Sequence, residues 1–528
     1  MLGFRFSEGT SYSGRGIRTF ARGQKLAVFL LLLPWVCFTQ VNHIGAAARL
    51  LNQGDFDRAD NEAQQAVKDP TTRALGLAML GTIRLQQGKY EDSENFLNRA
   101  LQLNPNLVGA RLTLGDAYLL QNRLTDARKT FQEAFARYPS SFDARFHLAK
   151  VESSLLNFQR LLDLARPIES KLSTSDDGLL LLATDYGALG KKEELDKAYE
   201  NWQQLPARSP EVSVDFGAVL ASYGMQDQAK KVFDEAETDV ADQASESVRF
   251  KLARGYFSIS SLDHAEKNFA LALSLDPECA ACNLGLAQVA EKQGITEKAL
   301  SYLLQAKKLE PEGPEILFEF GKVCLQQNLV KDAVPALEKA VELQPDRDPY
   351  VYVLASADVA AGNLSEAASL LARLLQKHPQ DAVLNYAMGA VFFLRGKFSE
   401  SQSSLQRSLR AQPDQIAASY YLGLTYDAIG DDEQAVAIFQ DLVKRHPEHG
   451  LAHVKLGTIL LREHKYEDAH QNLEKAISLL PDSVEAHYQL GVLLRRLGNT
   501  TEAEKEFAQS RKLESEHSQM RLQLLLPE

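Results

Sequence analysis

The chain has 528 residues, 45% hydrophobic and 24% charged, with 70 acidic against 58 basic residues and a formal net charge of −12. That acidic balance gives no general basis for binding nucleic acid, which draws on basic patches. Four cysteines are too few for a disulfide-stapled small scaffold, and 31 glycines with 18 prolines are too few for a collagen-like or Pro/Gly-rich disordered chain.

Residues 1–25 carry Arg5, Arg15, Arg18, Arg22 and Lys25 against one acid, Glu8. An uncharged run follows from Leu26 to Phe38. As a helix it covers roughly 20 Å, short of a hydrocarbon core of about 30 Å. A positive flank before a short apolar run is the pattern of a secretory signal peptide. The best cleavage site is Cys37-Phe38-Thr39, before Gln40, and it is an imperfect one. Residues 1–39 are therefore read as a signal peptide or, alternatively, as an N-terminal membrane anchor, with membrane contact confined to residues 26–38. Trp35 and Val36 precede Cys37 where a lipoprotein signal needs small residues. Loss of this segment would leave the rest of the chain more acidic still.

From residue 40 onward the chain repeats itself. A small residue recurs as Ala47, Gly81, Gly115, Ala149, Ala183, Gly217, Ala253, Ala287, Gly321, Ala355, Gly389, Gly423, Gly457 and Gly491. Every step is 34 residues except Gly217 to Ala253, which is 36. A second small residue lies 12 positions after most of these anchors, as in Ser93, Ala127, Ala333 and Ser401. An apolar residue usually lies 16 after, as in Phe131, Phe233 and Phe439, and a proline often lies 24 after, as in Pro105, Pro139 and Pro447. Each unit reads as two amphipathic helices joined by a short turn. The small anchor lets the second helix cross close to the first, and the second small residue lets the next unit dock. Proline, lacking an N–H, ends the second helix. Gly88-Lys89, Gly362-Asn363, Gly430-Asp431 and Gly498-Asn499 suit the corner. The periodicity is helical throughout, so the fold class is all-α.

This pattern resembles the tetratricopeptide repeat (TPR). In the unit Ala418–Pro447, residues Tyr420, Leu422-Gly423, Tyr426, Ala435, Phe439 and Pro447 stand at the family's signature positions. The resemblance covers about residues 40–517, or fourteen units, and looks like the exported bacterial type. It implies a right-handed superhelical solenoid whose concave groove is lined by the first helix of each unit. Such arrays grow by addition, each unit touching only its neighbours.

The units are least regular over 142–245. Pro167 falls inside an expected second helix, Leu161 and Leu195 replace the second small residue, and two residues are inserted near 241–245. The array is therefore divided into an N-terminal part, 40–245, and a C-terminal part, 246–517, with a change of pitch at the seam as the sharper expectation. Residues 518–528 are read as a capping helix or tail covering the last open face.

No phosphate-binding glycine loop, HExxH helix or GxSxG elbow occurs. The repeats leave no room for a catalytic domain, so the chain is read as not an enzyme, without cofactor or metal. Two constellations offer a rival reading as a redox or metal-binding protein. Cys279-Ala-Ala-Cys282 follows Pro277 at the start of a first helix, where thiolate charge is favoured, but no βαβ context or following histidine supports a thioredoxin or haem motif. His446, His449 and His453 form a spaced cluster, with His487 one unit later, and imidazoles can hold zinc or copper.

Three residues before the anchors stand Phe318, Tyr352, Tyr386, Tyr420 and Tyr488. These are expected to face the groove, although packing is the blander role for tyrosine there. Arg254, Gln288 and Lys322, one residue after their anchors, add polar contacts. Aromatic residues with a polar tip make good interface anchors, and an extended or helical peptide is the expected ligand class. One subset of the family binds chaperone C-terminal carboxylates through Lys, Asn and Arg. Gly45, Ala48, Met79 and Thr113 stand at those positions here, which disfavours that role. The expectation is a non-catalytic scaffold for protein or peptide partners, with no nucleic acid. It is placed in envelope assembly, secretion or exopolysaccharide machinery, either periplasmic or secreted, or anchored to the inner membrane.

Overall fold

A computed structural model describes residues 43–240 and 245–523, with side chains to residue 515. Among the described residues there are helices and no strands. They form two compact units, Met1–Gln293 and Gly294–Glu528. Within each unit a first helix packs on its second across a tight corner, and the second packs on the first helix that follows. In the C-terminal unit, for example, Pro314–Gln326 packs on Val330–Leu343, which packs on Asp348–Ala361.

The anchor explains the close crossing. A Cβ added at Gly115 would lie 2.3 Å from the Phe131 ring, and one at Gly423 would lie 2.6 Å from Phe439. Gly81, Gly321, Gly389 and Gly457 face Leu97, Leu337, Leu405 and Leu473 in the same way. The partner is always the residue 16 positions on, the apolar position of the repeat. Size is matched within the chain: anchor Ala47 sits in the core with Ala63 at the matching position. Phe269 follows an alanine anchor, Ala253, and its ring lies instead against Gly285 of the next first helix, 2.4 Å from the Cβ position there. The second small position is equally specific. Ser93 Oγ donates to the Gly81 carbonyl and Ser401 Oγ to the Gly389 carbonyl, each at 2.8 Å. Serine therefore fits where alanine stands elsewhere because its hydroxyl is satisfied by the anchor's own backbone.

Seven residues after each anchor the backbone turns left-handed. Glycine occupies the position at Gly54, Gly88, Gly362 and others, but Asn122, Leu156, Ser260, Asn328 and His464 hold it with φ of 58–62°. The turn is closed by bonds of the Schellman type, such as Lys89 N–H to Arg84 O and Asn157 N–H to Glu152 O, both at 2.9 Å. At the other end of the repeat, Asn104 and Asp276 are extended before Pro105 and Pro277, which stops the second helices.

Pro167 interrupts its helix as expected. Phe158–Ala165 is followed by a 3-10 turn, Arg166–Ile168, and a short helix, Glu169–Leu172. Leu161 and Leu195 are buried there, and Trp202 stacks on Phe216 with ring centroids 4.0 Å apart. The insertion is a different matter. Residues 241–244 lie outside the description, yet Phe233 before them packs on Gly255 and Tyr256 after them, so the core runs across this point within the first unit. The division between compact units falls at Gln293 and Gly294, inside the repeat anchored at Ala287. The C-terminal cap also differs from expectation. The last second helix, Thr500–Gln523, continues unbroken through 518–523 instead of handing over to a separate capping helix. No proline or glycine lies there to stop it. The expected signal or anchor, 1–39, lies outside the described residues. Among the described residues no helix is long and apolar enough to cross a membrane.

Candidate partner-binding surface

The first helices carry the expected groove residues. In the N-terminal unit, Glu246–Ser258 presents Arg254, which is exposed, and Ala280–Lys292 presents Gln288, half-buried. In the C-terminal unit, Phe318 is half-buried and stacks on Tyr350 of the next first helix, 4.3 Å between centroids at 10°. Lys322, one turn on, pairs with Glu319 and lies 5.9 Å from the Phe318 ring.

The tyrosines do not share one fate. Tyr352 and Tyr386 are each only 5% exposed, whereas Tyr420 is half-buried and Tyr488 is 51% exposed. Burial, with Tyr386 and Asp381 nearby, holds the Tyr352 hydroxyl neutral well above the ordinary tyrosine range. Burial likewise pushes Tyr386 and Tyr420 up to about 12. Tyr386 meets Tyr421 edge-on at 5.9 Å, Tyr421 meets Tyr420 at 6.2 Å and Phe393 at 5.7 Å, and Tyr420 lies 5.3 Å from His449. Tyr488 leans on Phe507 at 5.7 Å. Tyr350, Tyr421 and Phe393 stand off the register followed in the sequence, and only side-chain packing brings them against these residues. Tyr352 and Tyr386 are buried, while Phe318 and Tyr420 are half-buried and Tyr488 is exposed.

The histidines do not converge. His449 Nδ1 accepts the Ala452 N–H at 3.1 Å, capping its helix, and burial lowers its affinity for a proton. His446 lies 3.5 Å from Glu448. His453 is buried, with Nδ1 2.8 Å from Asn472 Oδ1 and Nε2 3.1 Å from the Pro447 carbonyl. His487 repeats that arrangement one unit later, its nitrogens 2.6 Å from Glu506 Oε2 and 2.9 Å from the Pro481 carbonyl. His43–Glu62 and Arg249–Asn268 make the same 19-residue link between first and second helix. His449, His453 and His487, grouped in the sequence as metal ligands, are thus tied into the repeat framework. Sequence reading missed this link, although its fixed spacing of 19 was available as a signal.

Cys279 and Cys282 form a disulfide. Cys279 caps the helix Ala280–Lys292, its Sγ accepting the Cys282 N–H at 2.9 Å. Glu246 comes from the preceding first helix, with Oε1 3.8 Å from the Cys279 sulfur and 3.9 Å from that of Cys282. Cys324 is a free, buried thiol that burial pushes up to about 11.

Family profiles described as tetratricopeptide repeat match residues 45–108, 84–151, 250–314, 296–349, 324–391, 417–449 and 454–513, well over half of the chain. The irregular stretch between 151 and 250 is unmatched by them. Among curated proteins, tetratricopeptide repeat protein 8 of Caenorhabditis elegans is 22% identical over 217 residues, 41% of this chain and 43% of that protein. The CTR9 homolog of Arabidopsis thaliana is 23% identical over 277 residues, 51% of this chain and 25% of that protein. The chain thus spans less than half the length of these relatives. Among solved structures, the APC/C hetero-tetramer Cut9-Hcn1 aligns over 84% of this chain and 95% of its own, at 15% identity and a TM-score of 0.44. YrrB, described as a TPR protein with an unusual peptide-binding site, aligns over 35% and 95%, at 22% identity and a TM-score of 0.32. The repeat profiles fall on the same helix pairs, glycine anchors and proline stops that the geometry displays, and the chain belongs to the tetratricopeptide repeat family.

Proposed function

We propose that this protein is a non-catalytic interaction scaffold that binds a peptide or protein segment along the first-helix face of its C-terminal unit. The observation that carries this reading is the set of aromatic groups just described. Phe318 on Tyr350, and Tyr420 on Tyr421, give rigid apolar surface with polar tips, and Tyr488 is left half open to solvent. Side chains of this kind contribute much contact area at low cost in lost rotamers. YrrB is described as carrying a peptide-binding site, which is in keeping with a peptide ligand class.

The setting we propose is the bacterial envelope, in assembly, secretion or exopolysaccharide machinery, reached through the export signal or anchor at residues 1–39. The disulfide supports an oxidising compartment, where such bonds persist. A reporter active only after export, fused behind residues 1–39, tests the route; an inactive reporter removes it. Binding is tested by capture from envelope extracts with the wild-type chain and with a Phe318→Ala/Tyr420→Ala/Tyr488→Ala variant of unchanged helicity. The wild type should retain a partner that the variant loses. Equal recovery by both would remove the surface.

A further inference from the structure

We propose that Cys279, Cys282 and Glu246 form a redox-gated site for one divalent metal ion of borderline softness, zinc above all, open when the cysteines are reduced and closed when they are disulfide-bonded. Among the described residues this is the one group of three potential ligands that converges, all ligand atoms within 4.8 Å of one another. The two cysteines have the C-x-x-C spacing of zinc sites. The third ligand comes from a different helix, 33 residues before Cys279 in the chain. One repeat separates Glu246 from Cys279, so the stacking of two successive first helices, Glu246–Ser258 and Ala280–Lys292, creates the site. Both helices begin there, and their N-terminal dipole ends favour anionic ligands.

The distances fit. Tetrahedral zinc with Zn–S near 2.3 Å and Zn–O near 2.1 Å places a carboxylate oxygen about 3.6 Å from each sulfur. Glu246 Oε1 already lies 3.8 and 3.9 Å from the two sulfurs. Only the two sulfurs must separate, to about 3.8 Å, which side-chain rotation after reduction supplies. The fourth position is open to water. Two thiolates with one carboxylate select zinc over magnesium or calcium, which prefer all-oxygen cages.

The cycle balances. A dithiol reductant attacks one sulfur, the S–S bond breaks, and its second thiol resolves the mixed disulfide. The reductant leaves as its own disulfide, having delivered two electrons and two protons. Zinc then displaces one proton from each thiol. A peroxide reverses this: the two thiolates lose two electrons and re-form the S–S bond, hydrogen peroxide takes up those electrons and two protons to give two waters, and the ion is released.

Cobalt(II) is the probe, because thiolate ligation gives it a charge-transfer band. The full-length chain, reduced with a dithiol and freed of it without oxygen, should bind one equivalent with that band, and one equivalent of zinc should displace it. The oxidised chain should show none. Cys279→Ser/Cys282→Ser, which keeps Cys37 and Cys324, should also show none, at unchanged helicity. Glu246→Gln should keep the band but weaken binding about tenfold or more. A reduced chain without the band, the band persisting in the double serine variant, or wild-type affinity in Glu246→Gln would each overturn the site.

Discussion

The Cβ position of Gly115 lies 2.3 Å from Cε1 of Phe131, closer than any methyl can sit. The helix Val108–Leu120 therefore touches its partner, Leu124–Arg137, through backbone at this point. Gly115→Ala should force the two helices apart and destabilise the repeat by about 1–3 kcal/mol, the usual penalty for overpacking. A repeat array need not unfold in one step, so the informative measurement is hydrogen exchange of amides within 108–137. Ser93→Ala, which only removes a satisfied hydroxyl at the other small position, should cost less. If Gly115→Ala leaves exchange unchanged, the crossing is looser than the geometry states.

Leu156 holds the left-handed corner with φ of 59° and is 69% exposed. It has neither a glycine's freedom nor an asparagine's local hydrogen bond, and it gains little from burial. Leu156→Gly should stabilise the chain by about 1 kcal/mol, since a left-handed conformation costs a side-chain-bearing residue roughly that much. The thermal midpoint of unfolding should rise. Leu156→Val, branched at Cβ, should lower it. A fall with glycine would show that the leucine makes a contact worth more than its strain.

Asp185 is fully buried, and neither carboxylate oxygen has a hydrogen-bond partner. Glu152, buried one repeat earlier, is by contrast held by Arg128, Arg160 and Asn157 at 2.8–3.0 Å. Burial raises Asp185 from 3.8 to about 6, with Lys191 opposing and Asp163 adding to the rise. A raised folded-state value means the folded chain holds the proton more tightly than the unfolded one. Stability from this group is therefore present in full below about pH 4 and is lost as pH rises towards 6. The loss at neutral pH is roughly 3 kcal/mol at most. Asp185→Asn should flatten the decline between pH 4 and 6 and leave stability near pH 4 little changed. A decline as steep in the variant as in the wild type would assign it to other groups.

His487 ties the last two described helices together through Glu506 and holds the preceding loop through the Pro481 carbonyl. His487→Leu should strand both acceptors in a partly buried setting and cost about 1–3 kcal/mol, read as faster exchange in 484–515. His487→Gln, which can still donate to one acceptor, should recover part of it. No difference between the two variants would reduce the histidine to filler.

Much of this was legible in the residues. The 34-residue period, the glycine or alanine anchors, the apolar partner 16 positions on and the proline stops are local rules. Each is imposed by one helix crossing another close by in the chain, so each leaves a mark at fixed spacing. Pro167 likewise announced a broken helix, since a missing N–H acts within one turn. Tyr352, Tyr386 and Tyr488 occupy the same repeat position, and nothing in that position told buried from exposed. The difference lies in how far neighbouring side chains cover each ring, which leaves Tyr352 and Tyr386 5% exposed and Tyr488 51% exposed. The three histidines looked like a cluster because they are close in sequence, yet His449 caps its helix, His453 is held by Asn472 and the Pro447 carbonyl, and His446 lies beside Glu448.

The amino-acid order by itself determined the family, the all-α class and the register of the helix pairs, because in a repeat array most contacts are between neighbours in the chain. Tertiary structure alone decided which aromatics reach solvent, where the compact units divide, and that Glu246 meets a cysteine pair a full repeat away. Those outcomes depend on the side chains of adjacent units meeting at the interface between them, and no single unit's sequence records that meeting.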